Sequence, residues 1–237
     1  MKIFQNKKTD FDSEEYKKAR FHYLLQILFG ESLAINYSKT IASFAPSEES
    51  RNFLLLQQSQ EENHLELLTD YVSSIDRPAV KISKHVKKLH AIMDKILEEK
   101  DYPSSILIQN FIVEGIVIIL IKEMERHGDD ELKQICATIL RDEVSHVAFG
   151  VTELRKELAK DKNLHKKLSN IQRLALFRSV LLFTDLASEA RYMGIAWDKL
   201  AEEVVEDHLN RIKQAGFKIP FYDRWALKIA IWFFVIV

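Results

Sequence analysis

The strongest constraint on how this chain folds is a spacing that occurs twice. Glu61-Glu62-Asn63-His64 and Glu143-Val144-Ser145-His146 both read Glu-x-x-His, 82 residues apart, and each has a lone glutamate upstream. Glu31 lies 30 residues before Glu61, and Glu114 lies 29 before Glu143. Residues three apart share one face of an α-helix, so each Glu-x-x-His can turn a carboxylate and an imidazole toward one point. The repeated unit is a glutamate, one helical hairpin, then Glu-x-x-His. Four helices carrying Glu31, Glu61, His64, Glu114, Glu143 and His146 form a bundle that can hold two metal ions between them.

Composition supports long helices. With 6 Gly and 4 Pro in 237 residues, few positions interrupt them, and 47 % apolar with 29 % charged residues is a globular balance. The 34 basic and 35 acidic residues nearly cancel, so no nucleic-acid partner is expected. A single cysteine, Cys136, excludes an internal disulfide and a thiolate-rich metal site. No secretory signal is visible at the start, which makes a cytoplasmic location the expectation. The apolar tail Trp225 to Val237 carries Lys228 and is too short to span a bilayer, so no transmembrane segment is expected.

Helix signals divide the chain. Residues 12 to 44 read as one helix, capped near Asp12 and Ser13 and closed by Pro46. Ser47 opens a second that runs to about Ser74, before Asp76-Arg77-Pro78. A basic amphipathic stretch from Lys81 to Lys100 reads as a crossover helix. The third bundle helix starts at Asp101-Tyr102-Pro103-Ser104 and reaches His127, and the fourth covers about Asp130 to Lys160. Further helices are predicted at about 163 to 190, 198 to 214 and 221 to 236. The expectation is one all-α domain over residues 1–237, with the metal-binding bundle at about 12–160 and additional C-terminal helices at about 163–237.

Glu114 interrupts the apolar run from Phe111 to Ile121, and an unpaired carboxylate buried there is costly. An ion pair would explain one such acid; six matched residues favour a metal. Four carboxylates and two imidazoles, without thiolate, suit two iron ions, or manganese with iron, better than structural zinc. Asp142, beside Glu143, is placed to accept the second N–H of a ligand histidine, and His64 of the neighbouring hairpin is the expected donor. Gln57, Gln58, Gln109 and Asn110 lie within about a turn of ligands. Gly30 and Gly115 flank two carboxylates at matching positions, which suggests close helix approach, space for dioxygen or a local π-bulge. His22, His85, His90, His127, His165 and His208 lack a matching acid pattern and are expected at the surface or at caps.

At these residues the chain resembles the ferritin-like di-iron carboxylate superfamily. Leu107-Ile108-Gln109 with Glu114, and Asp142-Glu143-Val144-Ser145-His146, are similar to the cyanobacterial aldehyde-deformylating oxygenases, which turn fatty aldehydes into alkanes with dioxygen and external electrons. Arg141 to His146 is also similar to ribonucleotide reductase small subunits, but Leu68 stands where their radical tyrosine would be. The resemblance implies a ferritin-like bundle with a crossover helix and a non-haem di-iron oxygenase. That enzyme would use dioxygen as co-substrate to oxidise a small, largely apolar molecule such as a fatty aldehyde, fatty acid or amine. It implies Glu31, Glu61, His64, Glu114, Glu143 and His146 as the metal ligands, with Phe111, Val113, Val117 and Ile118 as candidate pocket walls. Electrons would come from a ferredoxin or flavin reductase, and a homodimer stays open. The rival readings are a ferroxidase or iron-handling protein and a radical-generating or self-modifying metal subunit.

Overall fold

The computed structural model describes residues 10–75 and 79–217, so the predicted helix at 221–236 and the apolar tail lie outside the described residues. Among the described residues, eight α-helices and one π-helix follow in order: α1 (Glu14–Ala42), α2 (Glu48–Ser73), α3 (Lys84–Glu98), α4 (Tyr102–Ile106), the π-helix (Leu107–Val113), α5 (Glu114–His127), α6 (Asp130–Lys160), α7 (Leu164–Tyr192) and α8 (Trp197–Gln214).

Caps set the starts. Ser13, Ser47 and Asp129 accept hydrogen bonds from the backbone N–H groups of Tyr16, Ser50 and Leu132, and acidic residues fill the first turns of α1, α2 and α6. Two ends further along are left-handed glycines, Gly194 and Gly216, with φ of 78° and 88°.

The hairpins α1–α2 and α5–α6 are the most extensive helix pairs, and they meet along α2 and α6. α3 crosses between them against α1 and α7, while α8 lies on α5 and α6. The segment Tyr102–His127 is 26 residues long and apolar enough to cross a bilayer, but 83 % of its most apolar stretch is buried against neighbouring helices. Its composition is that of a core helix.

Polar clamps hold both ends of the bundle. At one end Arg20 donates to Tyr71 Oη at 2.8 Å and pairs with Asp129 at 2.6 Å, while Tyr16 donates to the His127 carbonyl at 2.7 Å. At the other, Tyr102 and Ser50 both donate to Glu153, at 2.6 and 2.8 Å. These bonds tie helix ends across the two hairpins, so the heights of the residues between them are fixed.

The third bundle helix departs from a continuous α-helix, because seven residues, Leu107–Val113, follow π geometry. That wider turn meets α6 at Gly150, where an added Cβ would stand 2.7 Å from Asn110 Cβ and 3.0 Å from its carbonyl carbon. Only glycine admits so close a backbone. Gly150→Ala must therefore part α6 from the π-helix, and we expect a loss of about 1–3 kcal/mol in urea unfolding. An unchanged midpoint would show that this approach is not required.

Candidate metal centre

All six residues that the doubled spacing singles out converge in the bundle core. Each is at most 3 % exposed. Their ligand atoms form two overlapping groups, Glu31, Glu61, His64 and Glu143, and Glu61, Glu114, Glu143 and His146, with every atom of a group within 4.8 Å of the others. Glu61 and Glu143 belong to both groups. Each group thus combines the lone glutamate and the histidine of one hairpin with two glutamates that it shares. Glu62, the neighbouring acid, is exposed on the far side of α2.

The histidines are oriented from outside. His64 Nε2 lies 3.2 Å from Asp142 Oδ2, and His146 Nε2 lies 3.0 Å from Gln60 Oε1. Both partners are acceptors, so both Nε2 atoms carry the proton. In the neutral rings Nδ1 is then a lone pair. Yet His64 Nδ1 faces Glu31, Glu61 and Glu143 oxygens at 3.3 to 3.4 Å, and His146 Nδ1 faces Glu61 and Glu143 at 3.2 to 3.3 Å. Lone pairs that face carboxylate oxygens repel them unless a proton or a metal cation lies between. The orphaned atoms agree with this: Glu31 Oε2, Glu61 Oε2, Glu143 Oε1 and His64 Nδ1 are buried without a hydrogen-bond partner.

Gln60 is the residue that sequence reasoning missed. Its Nε2 donates to Asp142 Oδ1 at 2.9 Å, which turns its oxygen toward His146. The signal was present, because Gln60 precedes Glu61 as Asp142 precedes Glu143. Each of these residues serves the histidine of the opposite hairpin.

Three further amides hold the carboxylates. Gln57 Nε2 donates to Glu61 Oε1 at 3.1 Å and to Glu114 Oε1 at 3.0 Å, and Asn110 donates to Gln57 Oε1 at 2.6 Å. Gln109 donates to the same Glu114 oxygen at 2.5 Å. Gln58 instead bonds to exposed Glu62. Of the two flanking glycines, Gly30 has no atom within 4 Å of an added Cβ, whereas at Gly115 a Cβ would overlap the Arg211 guanidinium. Space explains the first and close approach the second. The other histidines stay outside the cluster; His85, though buried, lies at the α3 cap, where Ser83 accepts from its backbone N–H, whereas His208 is buried in mid-helix and not at the surface or a cap. Phe111, a candidate pocket wall, turns its ring to His208 of α8.

Protons fill the charge deficit when no cation is bound. Burial, then the charge of Glu61, drives the Glu31 carboxyl well above the carboxylate range; burial, then Glu143, Glu61 and Glu31, does the same to Glu114. Burial opposes charge on Glu61 as well, but the adjacent His64 ring and Glu31 carboxyl, with His146, bring it down to about 2. Burial also disfavours an imidazolium at His64, and Glu143, Glu31 and Glu61 together outweigh it.

A buried carboxylate and histidine cluster at the centre of a four-helix bundle defines the ferritin-like class of metal-binding proteins, whose catalytic members are oxidoreductases. The family model for long-chain fatty aldehyde decarbonylase matches residues 13–232, and the chain belongs to that family. A solved structure from Synechococcus, described as Protein 19 with aldehyde deformylating oxidase activity, superposes with a TM-score of 0.80 at 20 % identity, covering 93 % of this chain and 99 % of that one. No curated protein sequence matches the chain.

Burial and the neighbouring carboxylates favour the protonated forms of Glu31 and Glu114, and the same carboxylates favour the protonated form of His64, when no metal is bound. A divalent cation must displace these protons, and its affinity rises with pH. Adding ferrous iron anaerobically to the weakly buffered protein is expected to acidify the solution. A constant pH would contradict this account of the cluster.

Proposed function

We propose that the chain binds two iron ions through Glu31, Glu61, His64, Glu114, Glu143 and His146, and that it removes the aldehyde carbon of a long-chain fatty aldehyde using dioxygen and external electrons. The carrying observation is the pair of overlapping four-residue groups, in which Glu61 and Glu143 are shared. Oxygen and nitrogen donors without thiolate fit iron, with a manganese and iron pair as the variant. The bound metals would supply dioxygen activation and redox change. Family membership favours catalysis over the iron-handling and radical-subunit readings.

The chain's own residues prepare the place. Asp142 and Gln60 fix both histidine tautomers and aim Nδ1 inward. Gln57 and Gln109 occupy one oxygen of Glu114 and leave the other for a cation. Ile27 and Ala34, a turn either side of Glu31, are buried, as are Leu68 beyond His64 and Val117 beyond Glu114. These side chains exclude water and suit an alkyl chain. The open space beside Gly30 gives that chain room next to Glu31. A ferredoxin or a flavin reductase is the class of partner that could deliver the electrons.

Glu114→Ala is expected to reduce iron binding from two ions per chain to one and to abolish aldehyde-dependent dioxygen uptake. Two bound ions with unchanged optical features would sink the ligand assignment. Asp142→Asn should weaken iron binding by about 10–100-fold while both sites remain. Dioxygen uptake by the reduced, iron-loaded protein that ignores fatty aldehydes and continues with ferrous iron alone would favour iron handling.

A further inference from the structure

The bond between Gln109 and Glu114 spans five residues. In an α-helix, at about 100° per residue, such positions sit roughly 140° apart around the axis and cannot touch. They meet here because the Glu114 N–H bonds to the Gln109 carbonyl, the five-residue step of a π turn. π geometry is intrinsically rare and short, so something outside the segment must favour it.

α8 supplies that influence at one point. Arg211 is 5 % exposed, and its guanidinium donates to the Phe111 carbonyl within the π segment. The same group lies over the Phe111 ring, 5.4 Å from its centroid, and its Nε is 2.9 Å from Asp207. It fills the space left because Gly115 has no Cβ. His208, one turn earlier on α8, sets its ring against Phe111 at 5.6 Å. A cation is seldom buried, and beyond the Asp207 ion pair and the Phe111 carbonyl this guanidinium has nothing to bond, its Nη2 being buried without a hydrogen-bond partner. Packing alone would be served better by an apolar side chain.

We propose that Arg211 is a positioning residue: from α8, outside the metal-binding hairpins, it holds the π register of Leu107–Val113 and so keeps Gln109 and Asn110 on Glu114 and Gln57. Gly115 is its counterpart, the one residue type that leaves room for the guanidinium. Without the clamp the segment relaxes toward α geometry, Gln109 swings away from Glu114, and the cation position that uses Glu114 and His146 loosens. The position that uses Glu31 and His64 is affected less, because only the shared Glu61 connects it to Gln57.

The test uses the full chain with Arg211→Ala, Arg211→Lys, Gly115→Ala and the Arg211→Ala/Gly115→Ala pair. Amide hydrogen exchange over residues 107–113 is measured in the metal-free protein, and ferrous iron binding is measured anaerobically by equilibrium dialysis. Arg211→Ala should speed exchange in that segment and weaken one of the two irons by about 10–100-fold, with a clearly smaller effect on the other. Arg211→Lys, whose ammonium still reaches the carbonyl, should recover part of both effects. Gly115→Ala should reproduce the loss by displacing the guanidinium, and the double variant should be no worse than either single one. Unchanged exchange and unchanged affinities in Arg211→Ala would overturn the proposal, as would losses that add in the double variant. If Arg211→Ala does not fold, Gly115→Ala and Arg211→Lys decide it by the same readouts. The iron arm rests on the dinuclear reading; wild-type protein that binds no iron would defeat that reading, while exchange still judges Arg211.

Discussion

Four carboxyl groups and two imidazoles are buried together in the middle of an apolar bundle, and much of the surrounding structure answers to that. Like charges at this separation, away from water, cannot all persist. Protons on Glu31, Glu114 and His64 relieve the repulsion when the cluster is empty of cations, and two divalent ions relieve it more completely. The polar side chains around the cluster steady it by hydrogen bonds: Gln57 to Glu61 and Glu114, Gln109 to Glu114, Asp142 and Gln60 to the outer nitrogens of the histidines. The clamps at Asp129 and Glu153 then hold the helices at the heights the cluster needs.

The two halves are related but not equivalent. Both present a glutamate on the first helix and Glu-x-x-His on the second, and both place an acceptor just before the second glutamate. The acceptor is Asp142 in one half and neutral Gln60 in the other, so the histidines differ in how strongly they are polarised. The helix that carries Glu31 is α-helical throughout, with open space at Gly30. The helix that carries Glu114 is preceded by a π turn and closed by Arg211 at Gly115. One group of ligands is therefore flanked by open space at Gly30 and the other by an amide network.

Much of the fold was legible in the chain because caps, prolines and glycines punctuate it locally. Helix starts at Ser13, Ser47 and Asp129 follow from hydroxyl or carboxylate acceptors next to acidic first turns. The six clustered residues were legible for a different reason, since a period of three on a helix and an equal hairpin length are geometric facts readable without coordinates. Gln60 escaped because a glutamine next to a ligand carries no signal unless the offset of 82 is applied to outer residues as well. Gly150 escaped because its constraint comes from another helix. The burial of His85 and His208 escaped because nothing in their own neighbourhoods marks it.

By itself, then, the sequence determined the helices, the pairing into hairpins and the chemistry of the donor set, because all of these depend on short-range periodicity and residue type. Tertiary structure decided which nitrogen of each histidine faces inward, which glutamates are shared, and where an α-helix gives way to a π turn. Those outcomes depend on contacts between residues far apart in the chain: Asp142 with His64, Asn110 with Gln57 and Gly150, and Arg211 with Phe111 and Gly115. No local pattern encodes such distances, because they are set by how the helices settle against one another.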